Sequence, residues 1–322
     1  MNAPVQFGYL VPTRDAVMRA PDGRADVQRM VELAVRAERQ GFNSVWIGDS
    51  ILARPRFEAL TTLAVVAART ERVTLGTAVY LSALRHPVPL AHTIGNLDLL
   101  SGGRLLFGIG LGPPSAAVRA EYAACGVEHR RRGAIQEEGL QIMKGLWTGK
   151  PFSFRGKFFQ VENIMLHPLP GRDGGPPVLL AAAAERPLRR IARYADGWLP
   201  ISPDAEAFSR DWQKLREYCA EAGRDPDQLL RVLYVTLNID GDRGRAQSEM
   251  EAFLNAYYGK ENAAAVSRTQ GHEAGEPARC ADFLRTFARA GARHFVVRFA
   301  TRDQEEQMDR LLAEVVPLLS GI

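Results

Sequence analysis

A repeated alternation of short apolar runs and longer amphipathic runs is the feature that most constrains the fold of this 322-residue chain. A continuous apolar run is typical of a parallel strand that is covered on both faces. The predicted strands are residues 6–10, 44–48, 73–80, 105–109, 178–181, 197–201, 231–239 and 294–299. Between them, apolar residues at three- and four-residue spacing predict helices. Asp26 and Gly41 are placed to begin and end the first helix.

About eight strand–helix units follow one another, and eight is the number that closes a parallel barrel. We therefore predict an α/β fold with one domain over residues 1–322, a single (β/α)8 TIM barrel. An open doubly wound sheet is the alternative, because alternation alone does not distinguish an open sheet from a closed one. Residues 152–154 and 158–161 predict a hairpin insertion between the fourth helix and the fifth strand. The polar segment 261–277 predicts a mobile lid that orders on substrate binding.

Composition and cysteine content narrow the class of protein. The chain has 41 basic and 37 acidic residues, and a formal charge of only +4 predicts no nucleic-acid partner. Its three cysteines, Cys125, Cys219 and Cys280, are odd in number and far apart, which is typical of a reducing compartment. We find no metal-ligand spacing, no signal peptide and no apolar run of the ~18 residues that a membrane span needs. We therefore expect a cytoplasmic protein without a metal or a membrane partner.

Two titratable residues follow predicted strands at the end of the barrel where active sites lie. Asp49 directly follows the second strand, and His86 follows the third. A histidine titrates near neutral pH, so His86 is a candidate for proton transfer, and Asp49 is a candidate acid or base. Each also has a structural alternative. His86 precedes Pro87 at a helix start, and Asp49 could bond to backbone groups at the end of its strand.

Glycine and alanine residues follow the fourth and fifth strands. The run Gly108-Ile109-Gly110-Leu111-Gly112 continues into two prolines and does not match the GxGxxG spacing of a dinucleotide-binding loop. It predicts either a close backbone approach to a planar ring or a phosphate, or a tight turn. Ala182, Ala183 and Ala184 precede a helix, whose free N–H groups could bind an anion, with plain barrel packing as the alternative. Apolar residues near the predicted mouth favour a nonionic substrate, namely Trp46, Tyr80, Leu81 and Leu111.

An ordered set of short motifs covers nearly the whole chain. It includes Arg85-His86-Pro87, Ser101-Gly102-Gly103-Arg104 and Asp196-Gly197-Trp198, within the stretches 37–46, 58–64, 70–79, 85–87, 97–104, 108–110, 146–149, 196–198 and 294–299. In this order the motifs resemble the luciferase-like monooxygenase superfamily, which includes FMN-dependent monooxygenases and F420-dependent oxidoreductases. The resemblance agrees with the barrel that the alternation predicts.

The resemblance implies a homodimer and a flavin or deazaflavin ring at the mouth of the barrel. It implies a ring contact from Ala78 and Val79, with a non-proline cis peptide bond between them. It also implies phosphate contacts from two segments, which are Gly110, Leu111 and Gly112, and Ala182, Ala183 and Ala184.

Three positions depart from the pattern of the relatives. Several relatives carry a histidine at the position of Ser50, and those that oxidise sugar phosphates carry a glutamate at the position of Pro113. Many relatives have two glycines where this chain has Ala183 and Ala184. The first two departures argue against hydride abstraction from a sugar alcohol, and the third narrows the predicted phosphate site.

Three functions follow as alternatives. The first is a monooxygenase that uses reduced FMN and O₂ on a small organic substrate, with a separate flavin reductase as a candidate partner. The second is an oxidoreductase that uses coenzyme F420 and transfers a hydride without oxygen. The third is a noncatalytic flavin-binding barrel, which the residues at Ser50 and Pro113 leave open.

Overall fold

A closed parallel barrel forms the centre of the computed structural model, which describes residues 5–20, 22 and 24–320. The strands of this part are β1 (Gln6–Leu10), β2 (Ser44–Ile47), β3 (Thr74–Thr77), β4 (Leu105–Ile109), β5 (Phe152–Arg155), β6 (Gln160–Ile164), β7 (Val178–Leu180), β8 (Gly197–Trp198), β9 (Leu230–Ile239), β10 (His272–Gly275) and β11 (His294–Phe299). Around the barrel the order is β1, β2, β3, β4, β7, β8, β9 and β11. Because β11 pairs with β1 and β8 pairs with β9, the sheet closes. The predicted (β/α)8 barrel is confirmed, and the open sheet is excluded.

Helices cover the outside of the barrel. They are α1 (Thr13–Met18), α2 (Val27–Gln40), α3 (Ala59–Arg69), α4 (Pro87–Leu100), α5 (Ala116–Ala124), α6 (Arg132–Leu146), α7 (Glu185–Tyr194), α8 (Ala205–Glu221), α9 (Arg243–Tyr258), α10 (Lys260–Thr269), α11 (Pro277–Arg289) and α12 (Gln304–Arg310). The ends of α2 agree with the sequence prediction. The Asp26 side chain accepts a hydrogen bond from the backbone N–H of Arg29 at 3.0 Å, and Gly41 ends the helix with φ of 99°.

Large apolar side chains fill the inside of the barrel. The fully buried Trp46 is the largest of them, and it fits because two neighbouring strands carry glycine beside it. A Cβ atom on Gly76 would overlap the indole ring of Trp46. The indole Nε1 donates to Ser44 Oγ at 2.6 Å, and this oxygen is also 2.6 Å from His294 Nε2. The indole therefore leans toward the N-terminal ends of the strands, away from the mouth.

The two predicted departures from alternation have different outcomes. The hairpin insertion is confirmed, because β5 and β6 pair in antiparallel order between α6 and β7. The prediction of a mobile loop over 261–277 is wrong, because α10 and β10 occupy that segment and β10 pairs in parallel with β9. Its alanines drive this order, since Ala263 and Ala274 are buried with Met250 and Leu254 of α9. Helices α1 and α5 were not predicted. Within the described residues, no helix is both long and apolar enough to span a bilayer.

Candidate active site

A cavity of about 470 Å³ opens at the C-terminal ends of the barrel strands. Strands β3, β4 and β7 lead to one side of it, which we call the small-residue wall: Ala78, Val79, Gly110, Leu111, Gly112, Ala181, Ala182 and Ala183. Strands β2 and β9 lead to the other side, which we call the arginine–tyrosine wall: Arg54, Arg56, Tyr234, Tyr257 and Tyr258. Strands β2 and β3 are neighbours in the barrel, so the two walls meet at Gly48, where a Cβ atom would overlap Arg56 Nη1 and lie 3.4 Å from the carbonyl oxygen of Ala78.

The small-residue wall owes its shape to residues that lack bulky side chains. The peptide bond between Ala78 and Val79 is cis, as the resemblance implies. A Cβ atom on Gly110 would overlap Val79 Cγ2, so the end of β4 packs beside Val79 only as glycine. Gly112 has φ of 68°, a left-handed conformation that glycine adopts without strain. The wall is therefore uncharged and open to a planar group.

Only part of the alanine segment after β7 lines the cavity. Ala182 and Ala183 line the cavity, as predicted for cofactor-binding residues, whereas Ala184 is not among the lining residues. Ala184 instead precedes α7, and its side chain makes no capping hydrogen bond. The N–H groups of the first turn of α7 therefore have no side-chain acceptor from Ala184, which leaves the predicted anion contact available.

Asp49 lines the cavity, but its carboxylate is already bound on both oxygens. Arg85 donates to Asp49 Oδ2 at 2.5 Å and to Oδ1 at 3.0 Å, and the backbone N–H of Leu81 donates to Oδ2 at 3.0 Å. The Arg85 guanidinium also lies 4.2 Å from the centre of the Tyr80 ring. Asp49 therefore holds the loop after β3, and this geometry suits its structural alternative better than that of a free base.

His86 lies outside the cavity. Its side chain is exposed, and its Nδ1 accepts the backbone N–H of Val88 at 3.3 Å, which caps the start of α4. The ring packs edge-on against Phe159 of the hairpin, with 5.3 Å between the ring centres. The prediction that His86 lines the mouth is wrong, because α4 begins at Pro87 and the side chain turns back to cap it.

The arginine–tyrosine wall was not predicted. Arg54 and Arg56 come from the loop between β2 and α3, and the guanidinium of Arg54 lies 4.7 Å from the centre of the Tyr258 ring. Arg56 lies over the end of β2, where a Cβ atom on Gly48 would overlap its Nη1. The sequence signal was the pair of arginines in Arg54-Pro55-Arg56, directly after a strand end.

Two more arginines stand behind the tyrosines. Arg298 is 4% exposed and donates to Tyr258 Oη at 2.5 Å, to Thr236 Oγ1 at 3.1 Å and to Gln270 Oε1 at 3.3 Å. The Arg14 guanidinium lies 4.9 Å from the centre of the Tyr257 ring. All the acceptors of Arg298 are uncharged, so its positive charge is not neutralised by them.

The electrostatics of this wall are strongly positive. Among the residues that the structure describes, no ion pair with a carboxylate involves Arg14, Arg54, Arg56 or Arg298. Burial acts to raise the pKa of Tyr257, but these four arginines outweigh it and lower the pKa below its ordinary value. The lowered pKa of this buried tyrosine follows from the positive charge of the four arginines around it.

Glu121 of α5 is a second residue that sequence reasoning missed. It is fully buried, and its Oε1 accepts from Ser50 Oγ at 2.9 Å and from the backbone N–H groups of Ile51 at 2.5 Å and Leu52 at 2.9 Å. Ser50 Oγ in turn accepts the backbone N–H of Arg54 at 2.8 Å. Glu121 thus holds the loop that carries the cavity arginines. Ser115, which caps α5, was the available sequence signal.

The chain belongs to the luciferase-like monooxygenase family, because the model of that family matches residues 5–316. It is therefore an oxidoreductase of the luciferase-like type, and the resemblance seen in the motifs is confirmed. An F420-dependent glucose-6-phosphate dehydrogenase of Nakamurella multipartita is 26% identical over 99% of this chain and 98% of the relative.

Solved structures share the fold at lower sequence identity. An F420-dependent secondary alcohol dehydrogenase in complex with an F420–acetone adduct has a TM-score of 0.82 and 20% identity, over 98% of this chain and 99% of that chain. A long-chain alkane monooxygenase has a TM-score of 0.80 and 16% identity, over 99% of this chain and 92% of that chain. Both likenesses concern the fold alone.

Proposed function

We propose that this chain is an F420-dependent oxidoreductase, which transfers a hydride between the deazaflavin and a small organic substrate without using oxygen. The observation that carries the proposal is the end-to-end similarity to a relative named for its dependence on F420. The proposal adopts the second of the three functions that the sequence left open. Family membership favours an enzyme over a noncatalytic barrel. The reduced-FMN monooxygenase remains the competing function, because the alkane monooxygenase shares the fold.

The residues at the cavity fit a deazaflavin cofactor. Ala78, Val79 and Gly110 form an uncharged surface without bulky side chains, beside which a planar ring can lie. The backbone of Gly112 and the first turn of α7 after Ala184 offer N–H groups toward a phosphate. F420, when bound, accepts or donates the hydride. The part of the chain is to hold the ring, orient the substrate and exclude water.

The cavity of this chain does not favour glucose 6-phosphate, the substrate in the name of the Nakamurella relative. No histidine is found among the residues that line the described cavity, and Ser50 and Pro113 stand where sugar-phosphate oxidisers carry a histidine and a glutamate. Asp49 is bound by Arg85 and cannot replace them without breaking that pair. We therefore propose that glucose 6-phosphate is at best a poor substrate.

Separate titrations of F420 and FMN into the purified protein test the cofactor. The absorbance spectrum of each cofactor reports its binding, and we expect F420 to bind at least about tenfold more tightly than FMN, a difference of ~1.4 kcal/mol. Tighter binding of FMN, with substrate-dependent O₂ consumption when FMN is reduced, would reverse the proposal in favour of the monooxygenase. In that case a separate flavin reductase becomes the expected partner.

We also propose that the protein is a homodimer. Apolar side chains of α3 and α4 are exposed in the structure, namely Val65, Leu99 and Leu100, and Leu100 is 75% exposed. Exposed apolar residues on two helices that pack side by side favour burial against another chain. Light scattering after gel filtration should give twice the mass of 35.5 kDa. The substitution Leu100→Glu should shift the protein toward the monomer, whereas a monomeric wild type would contradict the proposal.

A further inference from the structure

We propose that Arg54 and Arg56 bind an anionic group of the substrate, a carboxylate or a phosphate, at the arginine–tyrosine wall of the cavity. The proposal rests on the proposed function in one respect, because it takes the ligand to be the substrate of that enzyme. It replaces the expectation of a nonionic substrate. Trp46 and Tyr80, on which that expectation partly rested, do not line the cavity.

The two arginines are held in place by the fold. Glu121 bonds to Ser50 and to two backbone N–H groups of the loop, and Ser50 bonds to the backbone of Arg54. The Arg56 Nε donates to the carbonyl oxygen of Arg54 at 3.2 Å, and Gly48 leaves room for its guanidinium. Side chains that are fixed before binding lose little conformational entropy when a ligand arrives.

Charge at this wall is left without a counter-ion. The acidic residues among the lining residues are Asp49 and Glu121. Asp49 is paired with Arg85, and Glu121 Oε1 accepts from the loop, whereas its buried Oε2 has no hydrogen-bond partner among the described residues. Neither carboxylate forms an ion pair with Arg54 or Arg56 in the described part of the chain. Arg14 behind the wall also has a buried Nη1 without a hydrogen-bond partner. Arg54 and Arg56 are only partly buried, so their guanidinium groups are accessible to an anionic ligand, which would compensate their positive charge. Guanidinium groups match the planar oxygens of carboxylate and phosphate.

The cofactor could in principle supply the same anion through its phosphate. The positions proposed for that phosphate follow β4 and β7, whereas the arginines follow β2, with Arg56 beside Gly48 and Arg54 over the Tyr258 ring. In the barrel order, β4 and β7 are two and three strands away from β2. At least one strand therefore separates the arginines from a cofactor phosphate near Gly112 or Ala183, and we assign the arginines to the substrate.

Binding of phenyl phosphate to the cofactor-free protein tests the proposal, with phenol as the neutral control ligand. Calorimetry at low ionic strength, in a buffer without phosphate or sulfate, should show phenyl phosphate binding and no binding of phenol at the same concentrations. The double variant Arg54→Gln/Arg56→Gln should lower the affinity for phenyl phosphate by about 10- to 100-fold. The variant with lysine at both positions keeps the positive charge and should lose less of its affinity for phenyl phosphate.

A matched control removes two positive charges from the other end of the barrel. Arg69 and Arg72 are exposed and lie between the end of α3 and the start of β3, so Arg69→Gln/Arg72→Gln should leave phenyl phosphate affinity within about twofold. Equal loss in both double variants would show a general charge effect and overturn the proposal, as would equal affinity of the wild type for phenyl phosphate and phenol. Thermal unfolding of each variant identifies any loss that comes from misfolding.

A titration with F420 separates the two sources of the anion. If the arginines serve the substrate, Arg54→Gln/Arg56→Gln leaves the affinity for F420 within about threefold of the wild type, while the affinity for phenyl phosphate falls. If they serve the cofactor, the affinity of the variant for F420 falls by at least tenfold, while its affinity for an F420 fragment without the phosphate tail is unchanged. That result would overturn the proposal. A protein that binds phenyl phosphate through the arginines but does not bind F420 refutes the proposed function and supports the anion site.

Discussion

The two walls of the cavity are built in opposite ways. The small-residue wall is defined by the absence of side chains, since a single added Cβ at Gly110 would overlap Val79. The arginine–tyrosine wall is defined by large charged and aromatic side chains, and Arg54 and Arg56 have no carboxylate partner among the described residues. Shape controls what binds at the first wall, and charge controls what binds at the second. Variants, salt and pH should therefore affect the two walls differently.

Filling the small-residue wall should produce the largest effect. In Gly110→Val the new side chain overlaps Val79 and displaces it into the space proposed for the cofactor ring. Binding of F420 has to push Val79 back into the overpacked position, at a cost of ~1–3 kcal/mol, so F420 affinity should fall by about 10- to 100-fold while phenyl phosphate affinity changes little. Gly241→Val is the matched control, because a Cβ there contacts nothing within 4 Å. Unchanged F420 affinity in Gly110→Val would remove the ring from this wall.

Displacing a single arginine should have a smaller effect on the other wall. In Gly48→Ala the added methyl group overlaps Arg56 Nη1, and the flexible guanidinium has to move. We expect phenyl phosphate affinity to fall by about three- to tenfold, the loss of part of one charged hydrogen bond, with F420 affinity retained. Calorimetry with both ligands measures the difference. A loss of F420 affinity equal to that of phenyl phosphate would mean that the walls are not independent.

The pH dependence of binding should also differ between the walls. The pKa of Tyr257 lies below its ordinary value of about 10, because the four arginines outweigh the effect of burial. As the pH rises through this lowered pKa, Tyr257 becomes negative and repels an anion beside Arg54 and Arg56. Phenyl phosphate affinity should therefore fall by about threefold or more as the pH is raised from neutral to pH 10.

Substitution of the tyrosine tests this assignment. Tyr257→Phe should remove the fall, and Tyr218→Phe on the outer helix α8 should keep it. Phenyl phosphate remains a dianion throughout this range, so its own ionisation does not contribute. A fall of the same size in Tyr257→Phe would assign the titration to another group.

His86 should give the smallest effect. Its exposed side chain caps α4 and lies outside both walls, so His86→Ala should change turnover and the affinity for either ligand by less than about twofold. Loss of the cap should lower the free energy of unfolding by ~0.5–1 kcal/mol. Steady-state kinetics and urea denaturation measure the two quantities. A hundredfold loss of turnover with normal stability would restore His86 as the proton-transfer residue.

The small-residue wall was accessible from the sequence because its determinants are local. Gly110 and Gly112 follow the end of β4 within three residues, and Ala182 and Ala183 lie in the short loop between β7 and α7, so the strand ends alone place them at the mouth. The direction of a side chain is a different matter. His86 also follows a strand end, yet the start of α4 at Pro87 turns it outward.

The arginine–tyrosine wall was not accessible because its members are distant in the sequence. Arg54 meets Tyr258 from the end of α9, and Arg298 approaches from β11. Only the closed barrel brings these segments together. Glu121 was missed for a related reason, since its helix was not predicted and its partners lie 69 to 71 residues away. The segment 261–277 looked like a loop because its alanines carry little hydrophobic signal, although two of them are buried.

Titration of phenyl phosphate into protein saturated with F420 tests the central claim most directly. If one wall binds the cofactor and the other binds the anion of the substrate, both ligands are bound at once. The dissociation constant of phenyl phosphate should then change by less than about threefold when F420 is present, a coupling of at most ~0.7 kcal/mol. Competition, in which the apparent dissociation constant rises in proportion to the F420 concentration, would show one shared site and contradict the account.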